Sequence, residues 1–180
     1  MNKSLLMELV TYNKDDGKFF WNVRPRDHFN SDRDHKIWNT KHSLSEIRNP
    51  DKRGYLYLNL NGKRYPLHKL AWLYVYGHYP NVVDHKNRKV NDNRIENLRV
   101  ASNADNVRNQ SLKKSNTSGF KGVHFSKQKN KWIANIRTDT GRVHLGFFSC
   151  KLEAAKAYDN AAYKYHGEFA MTNKDLGLYE

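Results

Sequence analysis

The sequence predicts an α+β chain of small antiparallel sheets and short helices. Three observations support this fold class. Turn dipeptides between aromatic, strand-like runs predict β-hairpins in the N-terminal third. In the middle of the chain, two short strand-like runs and a helix start signal predict a hairpin followed by a helix. Near the C-terminus, three strand-like runs precede an alanine-rich helical run, which predicts a three-stranded antiparallel sheet packed on one helix.

Residues 1–66 are predicted to form an N-terminal β-rich region. Two turn signals, Asp15-Asp16-Gly17 and Asn61-Gly62, each lie between strand-like runs. Because such dipeptides favour tight turns, each predicts a hairpin. Residues 24–53 are polar and have no clear periodicity, so we expect a long exposed loop there.

The middle region, residues 67–110, is predicted to start with a helix. Apolar residues at positions 67, 70, 71 and 74 have helical spacing, and Gly77 is suited to end the helix. Strand-like runs at 82–85 and 98–100 then predict a hairpin. Ser102, followed three residues later by Asp105, predicts a capping box and a helix over about residues 103–110.

The C-terminal region is predicted to be a separate module. Residues 111–118 are small, polar and basic, which is typical of a linker. Residues 119–174 follow, with strands expected over 120–125, 132–138 and 142–148 and a helix over 151–166. Five alanines give this helix a flat face that can lie closely on a sheet, and we expect Ser149 and Gly167 to cap it.

Charge indicates the class of partner. The chain has 32 Lys and Arg against 18 Asp and Glu, a formal net charge of +14. This excess favours a polyanion, because each neutralised phosphate releases condensed counterions. We expect no membrane partner, since no stretch approaches the roughly 20 apolar residues of a spanning helix, nor a signal peptide. Cys150 is the single cysteine, which excludes an intrachain disulfide and favours a reducing compartment.

Polar side chains gather around the predicted middle hairpin. Asp84 and His85 are adjacent on one strand, Asn97 precedes the returning strand, and Asn106 lies one turn into the next helix. Carboxylate and amide oxygens are hard ligands suited to Mg²⁺ or Mn²⁺. A histidine beside such an ion can activate water against a phosphodiester. The same residue types also occur in solvated turns, so the spacing alone leaves both interpretations open.

The motif around this hairpin is long and strictly spaced. The run D-H-K-N-R-K-V-N-D-N-R-I-E-N-L-R, preceded by L-H-K-L-A-W and followed by N-A-D-N-V-R-N, resembles the HNH endonucleases of phages and introns. The hairpin and helix match that family's ββα-metal unit. The resemblance implies that His85 is the general base and that Asn97 accepts a hydrogen bond from it. It also implies that Asp84 and Asn106 hold one divalent ion. Many relatives have histidine at the position of Asn106, so the amide favours Mg²⁺ or Mn²⁺ over zinc.

The C-terminal module is a predicted basic sheet with interleaved aromatic residues, which fits either a DNA-reading face or an ordinary surface. Its segments G-F-K-G-V-H-F, K-W-I-A-N-I-R and G-R-V-H-L-G-F-F, with the helix L-E-A-A-K-A-Y-D-N-A-A-Y-K-Y-H-G, are similar to the APETALA-type (ethylene-response-factor) domain. In that family the sheet reads the DNA major groove. The positions implied to contact DNA are Lys121, His124, Trp132, Arg137, Arg142 and His144. Because His124, Asn135 and His144 depart from the plant residues, the plant target sequence is not expected to transfer.

These patterns together predict a homing-type DNA endonuclease. It would use a histidine base and one Mg²⁺ or Mn²⁺ ion, and the C-terminal sheet would direct it to double-stranded DNA. A single HNH unit favours a monomer that nicks one strand. The resemblance also implies a phage gene whose product acts in the cytoplasm of a bacterial host. The alternative is a DNA-binding regulatory protein whose HNH unit is inactive. An RNA-binding protein would account for the charge but not for the Asp-His-Asn pattern.

Overall fold

The computed structural model describes all 180 residues and confirms the α+β class. It divides into two compact units, Met1–Ala101 and Ser102–Glu180. These units do not coincide with the ranges expected from the sequence, 1–66, 67–110, 111–118 and 119–174. The assignment of these four ranges as functional domains stays a prediction. No helix combines the length and apolar character that crossing a membrane would require.

The first unit contains three helices and three two-stranded antiparallel sheets. Its helices α1 to α3 are Lys3–Leu9, Asp32–His42 and Leu67–Tyr76. Its strands β1 to β6 are Val10–Tyr12, Phe19–Trp21, Tyr57–Leu60, Lys63–Pro66, Val83–His85 and Leu98–Val100. The sheets pair β1 with β2, β3 with β4, and β5 with β6, so all three predicted hairpins are confirmed.

One apolar core joins these hairpins. Phe19 and Leu58 from the N-terminal third lie in the same buried cluster as Leu70, Val83 and Leu98 from the middle region. Helix α3 contributes its predicted apolar face and ends at Gly77, whose φ of 80° is the left-handed conformation that glycine adopts easily. Because the core is shared, no structural boundary exists at residue 66.

The exposed loop expected over residues 24–53 is wrong for much of its length, because helix α2 lies within it. Ser31 caps this helix by accepting a hydrogen bond from the backbone N–H of Asp34. No residue of α2 is buried. A helix without a buried face has no apolar periodicity, and this explains why the sequence pattern does not show it.

The second unit contains a three-stranded sheet and two helices. Helices α4 and α5 are Asn103–Arg108 and Lys151–His166. Strands β7 to β9 are Val123–Ser126, Lys131–Thr138 and Gly141–Phe148, in the order β7-β8-β9. The alanine face of α5 is buried in the same clusters as Ala134 and Ile136 of the central strand, as predicted.

Two local expectations for the second unit need correction. The first strand starts at Val123 rather than at residue 120, because Gly122 has a φ of 75° and interrupts the extended backbone. Cys150, not Ser149, is the residue at the N-cap of α5, and its side chain makes no capping hydrogen bond. Residues 111–118 contain neither helix nor strand, but they are turned and bonded, for example through Asn116 Nδ2 to the carbonyl of Phe120 (2.9 Å).

Helix α4 folds with the second unit. It has the predicted capping box between Ser102 and Asp105. Arg108 Nη1 donates to Asp105 (2.6 Å) and Nη2 to Asp139 (2.5 Å). Lys121 Nζ donates to the carbonyl oxygens of Arg108 (2.5 Å) and Gln110 (2.9 Å). These bonds satisfy carbonyls at the end of the helix and fasten it to the unit that contains the sheet.

Candidate active site and DNA-reading face

The β5–β6 hairpin buries several polar side chains. Its register places Asp84 opposite Arg99 and His85 opposite Leu98. Asp84, His85 and Asn93 are only 3%, 4% and 1% exposed. Because burial of polar groups is costly unless they are bonded, the partners of these side chains define the site.

Asp84 forms a buried ion pair with Arg99 across the hairpin. Arg99 Nε lies 2.8 Å and Nη2 2.7 Å from Asp84 Oδ2. Both side chains are well sheltered from solvent. A carboxylate in this environment attracts a cation strongly, since little water screens its charge.

His85 is held by an amide and by two rings. Its Nε2 lies 3.2 Å from Oδ1 of Asn93. The ring of His68 packs edge-on at 5.1 Å between centroids, and the ring of Tyr55 lies at 5.9 Å. Burial lowers the pKa of His85, although the Asn93 hydrogen bond and the charge of Asp84 oppose this effect. The imidazole is therefore neutral at neutral pH, the form that a general base needs.

Asn97 does not make the contact with His85 that the resemblance implied. Its Oδ1 accepts from the backbone N–H of Asn87 (3.0 Å), and its Nδ2 donates to the carbonyl of Asp92 (2.8 Å). Asn97 immediately precedes β6, and its side chain turns into the loop between the strands. Asn93 takes the place expected for Asn97. In the sequence Asn93 is one of several loop asparagines, and nothing local distinguishes it.

The loop is further fixed by a charged cluster. Arg94 donates from Nε to Asp92 Oδ1 (2.9 Å) and from Nη2 to Oδ2 (2.8 Å), and Asn87 Nδ2 donates to the same carboxylate (2.7 Å). The hydrogen bond from Arg94 is the main reason that the pKa of Asp92 falls to about 2. The two residues next to Asn93 in the chain, Asp92 and Arg94, are thus fixed by hydrogen bonds.

The donor chemistry of Asp84 fits a hard divalent ion, because it is a buried carboxylate that already pairs with a cation. No group of three or more His, Cys, Asp or Glu side chains is arranged to hold a metal. Magnesium does not require such a cage, since it keeps several waters and takes substrate phosphate oxygens alongside one or two carboxylates. Asn106, the other predicted ligand, lies on α4 in the second unit, and its role stays a prediction.

The sheet of the second unit presents an exposed face on the side away from α5. His124, Arg137, Arg142 and His144 are exposed there. Arg137 pairs with Arg142 in register, and Asn135 with His144, whose Nδ1 lies 3.2 Å from Asn135 Oδ1. Four of the six residues implied to contact DNA therefore share one surface.

The other two residues are engaged within the second unit. Trp132 is partly buried and packs against the core under the sheet, on the same side of β8 as Ala134. Side chains alternate along a strand, which places position 132 on the helix side. Lys121 bonds the end of α4, as described above. On the exposed face, sequence reasoning missed Phe147, whose ring lies 4.7 Å from that of His144. The roles of all these residues in DNA binding stay predictions.

A hairpin that buries an adjacent Asp-His pair and is followed in the chain by a capped helix is the arrangement expected of an HNH-type nuclease domain. Residues 65–108 match the family model described as HNH endonuclease. The predicted resemblance of this segment to HNH endonucleases is therefore confirmed, and the match supports the predicted class of enzyme, a nuclease. HNH nucleases generally use a divalent metal.

Curated proteins match a region of about 65 residues. AP2-like ethylene-responsive transcription factor AIL5 of Arabidopsis thaliana is 42% identical over 65 residues, which are 35% of this chain and 12% of that protein. AP2-like ethylene-responsive transcription factor CRL5 of Oryza sativa subsp. japonica is also 42% identical over 65 residues, which are 35% of this chain and 10% of that protein. The chain thus spans only a small part of these relatives. The predicted similarity to an APETALA-type domain is confirmed.

One solved structure is similar along most of the chain. It is described as "DNA binding and cleavage by the HNH homing endonuclease I-HmuI". The two chains are 18% identical with a TM-score of 0.41, and the match covers 92% of this chain and 90% of the other.

Proposed function

We propose that this chain is a DNA endonuclease whose HNH domain hydrolyses a phosphodiester while the exposed sheet of the second unit binds double-stranded DNA. The observation that carries the proposal is the buried, neutral imidazole of His85 next to the cation-binding carboxylate of Asp84. A neutral base beside a place for positive charge is what hydrolysis of a phosphodiester requires.

His85 would act as the general base. With Nε2 directed at the Asn93 amide, Nδ1 is the nitrogen that takes a proton from the attacking water. The water oxygen forms a bond to phosphorus, the bond from phosphorus to the 3′ oxygen breaks, and that oxygen gains a proton from solvent. The products carry 5′-phosphate and 3′-hydroxyl ends.

Asp84 would hold one Mg²⁺ or Mn²⁺ ion, with Asn106 as the predicted second ligand. When bound, such an ion supplies positive charge that stabilises the phosphate and the leaving oxygen in the transition state. Arg99 competes for the same carboxylate oxygen. We therefore expect Arg99 to keep the Asp84 carboxylate oriented before the ion binds.

The exposed face of the second unit would supply the contacts to DNA. Arg137 and Arg142 lie directly opposite each other on adjacent strands, and His144 continues the same face. Arginine contacts both phosphates and guanine edges in the major groove. One catalytic domain in one chain favours a monomer that nicks a single strand.

A plasmid assay tests the proposal. Supercoiled DNA is incubated with the wild-type chain and Mg²⁺ or Mn²⁺, and conversion to the nicked circle is measured. His85→Ala is expected to lose about 10²–10⁴-fold in rate. His78→Ala, which changes an exposed histidine, serves as the matched control and should retain activity.

Two results would overturn the endonuclease proposal. One is a wild-type chain that nicks no DNA with either ion. The other is equal nicking by His85→Ala and wild type. DNA binding without any cleavage would favour the alternative of an inactive regulatory protein.

A further inference from the structure

Asn93 is the most buried polar residue at the hairpin, and the proposed function uses only its contact with His85 to identify the nitrogen that acts as the base. Its side chain is 1% exposed, although it lies in a loop of charged and polar residues. Its Oδ1 meets His85 Nε2 at 3.2 Å, while its Nδ2 has no hydrogen-bond partner. Burial of an amide with one unsatisfied group lowers stability. The contact with His85 is therefore the side-chain interaction that accounts for the buried position of Asn93.

The chemistry of that contact selects a tautomer. An amide oxygen only accepts hydrogen bonds, so the imidazole must present N–H at Nε2 and keep its lone pair at Nδ1. In the opposite tautomer, two lone pairs would face each other in a dry site. Loss of a buried hydrogen bond of this kind shifts the ratio of the tautomers by about tenfold or more.

The N-terminal hairpin holds Asn93 in position. The hydroxyl of Tyr12 on β1 donates to the carbonyl oxygen of Asn93 at 2.7 Å, across 81 residues of sequence. Burial raises the pKa of Tyr12, so this hydroxyl remains a donor. Gly17, in the turn after β1, has a φ of 75°, and a Cβ there would lie 2.4 Å from Arg94 N and 2.6 Å from Asn93 C. The turn therefore rests directly on the backbone of the catalytic loop.

We propose that Asn93 is a positioning residue that fixes His85 as the Nε2-protonated tautomer, and that the β1–β2 hairpin holds Asn93 for this task. The inference rests on the proposed role of His85 as the base. It makes the N-terminal hairpin part of the catalytic machinery rather than a separate module. It also gives Asn93 a role that Asn97 does not have, because both side-chain groups of Asn97 bond to backbone atoms of the loop.

The test is a nitrogen-15 NMR measurement of the histidine side chains in the full chain, without DNA or metal. The His85 signal is identified by its loss in His85→Gln. Wild type is expected to show the Nε2-protonated form. Asn93→Leu should raise the Nδ1-protonated fraction about tenfold. Asn59→Ala removes an exposed amide on β3, outside the loop, and its His85 signal should remain unchanged.

Activity and a second variant complete the test. Asn93→Leu is expected to lower kcat for nicking about 10²-fold with little change in KM. Gly17→Ala should shift the His85 tautomer ratio without touching His85, and it reports on the hairpin if Asn93→Leu fails to fold.

The inference fails if wild-type His85 is protonated at Nδ1, or if neither Asn93→Leu nor Gly17→Ala changes the tautomer. A wild-type chain with the expected tautomer but no nicking activity would instead overturn the proposed function alone.

Discussion

The candidate functional side chains of the two units lie in opposite environments. In the first unit, Asp84, His85 and Asn93 are buried and bonded to fixed partners. In the second unit, Arg137 and Arg142 stand exposed on a sheet whose other face is covered by α5. A reacting group must keep its orientation, which packing and hydrogen bonds provide. A side chain that binds a polyanion can instead remain hydrated and mobile until the polyanion binds.

Because of this contrast, substitutions in the two units should affect different quantities, the free energy of unfolding in the first unit and the affinity for DNA in the second. Removal of one partner from a buried polar network leaves a charge or donor without compensation, and the cost appears in folding. An exposed charge contributes little to folding, and its loss appears only when the ligand is present. Substitutions of the buried polar residues in the first unit should therefore lower the free energy of unfolding. Substitutions of the exposed arginines on the sheet of the second unit should instead lower the affinity for DNA.

The largest effect is expected from Arg99→Ala. This change leaves the buried Asp84 carboxylate without its cross-strand cation and should lower the free energy of unfolding by about 3–5 kcal/mol. Urea unfolding followed by tryptophan fluorescence measures it, because Trp21, Trp38 and Trp72 all lie in the first unit. A loss below about 0.5 kcal/mol, the range of an ordinary surface change, would contradict the contrast between the units.

A smaller effect is expected from the pH dependence of His68. Burial lowers the pKa of His68 to about 3, whereas in the unfolded chain it is about 6.5. Between these values the unfolded chain binds the extra proton. The stability contributed by neutral His68 is therefore complete above about pH 6.5 and declines as the pH falls toward 3. We expect about 2 kcal/mol to be lost between pH 7 and pH 5.

Urea unfolding at the two pH values checks this expectation. His68→Gln should show a smaller loss than wild type, and the exposed His78→Gln should behave like wild type. The same loss in wild type and in His68→Gln would show that His68 is not the group responsible.

The smallest effect on stability is expected from Arg142→Ala. The free energy of unfolding should change by less than about 0.5 kcal/mol, because the side chain is exposed. Affinity for DNA should fall about tenfold, with a salt dependence reduced by about one counterion. Fluorescence anisotropy over a salt series measures both. The control is Lys164→Ala, which removes a charge on the exposed side of α5. An equal loss of DNA affinity in this variant would show that the sheet is not the specific DNA-binding face.

Local patterns predicted much of the fold. The Asn61-Gly62 turn and the alanine face of α5 each specify a structure through residues close in sequence, and the capping box at Ser102 does the same. Helix α2 was missed because none of its residues is buried, so no apolar period marks it. The family resemblance places Trp132 among the positions implied to contact DNA, yet strand alternation directs its side chain toward the helix.

By itself, the sequence predicted the resemblance to HNH endonucleases and identified Asp84 and His85 as candidate site residues, because both predictions rest on short motifs of fixed spacing. Only the tertiary structure decided which side chains meet that pair. Arg99 reaches Asp84 through strand register, and Asn93 rather than Asn97 reaches His85 because Tyr12 and Gly17 hold its backbone. The contacts of Tyr12 and Gly17 with this loop join segments about 80 residues apart. The spacing of residues within either segment does not show how the two segments pack together.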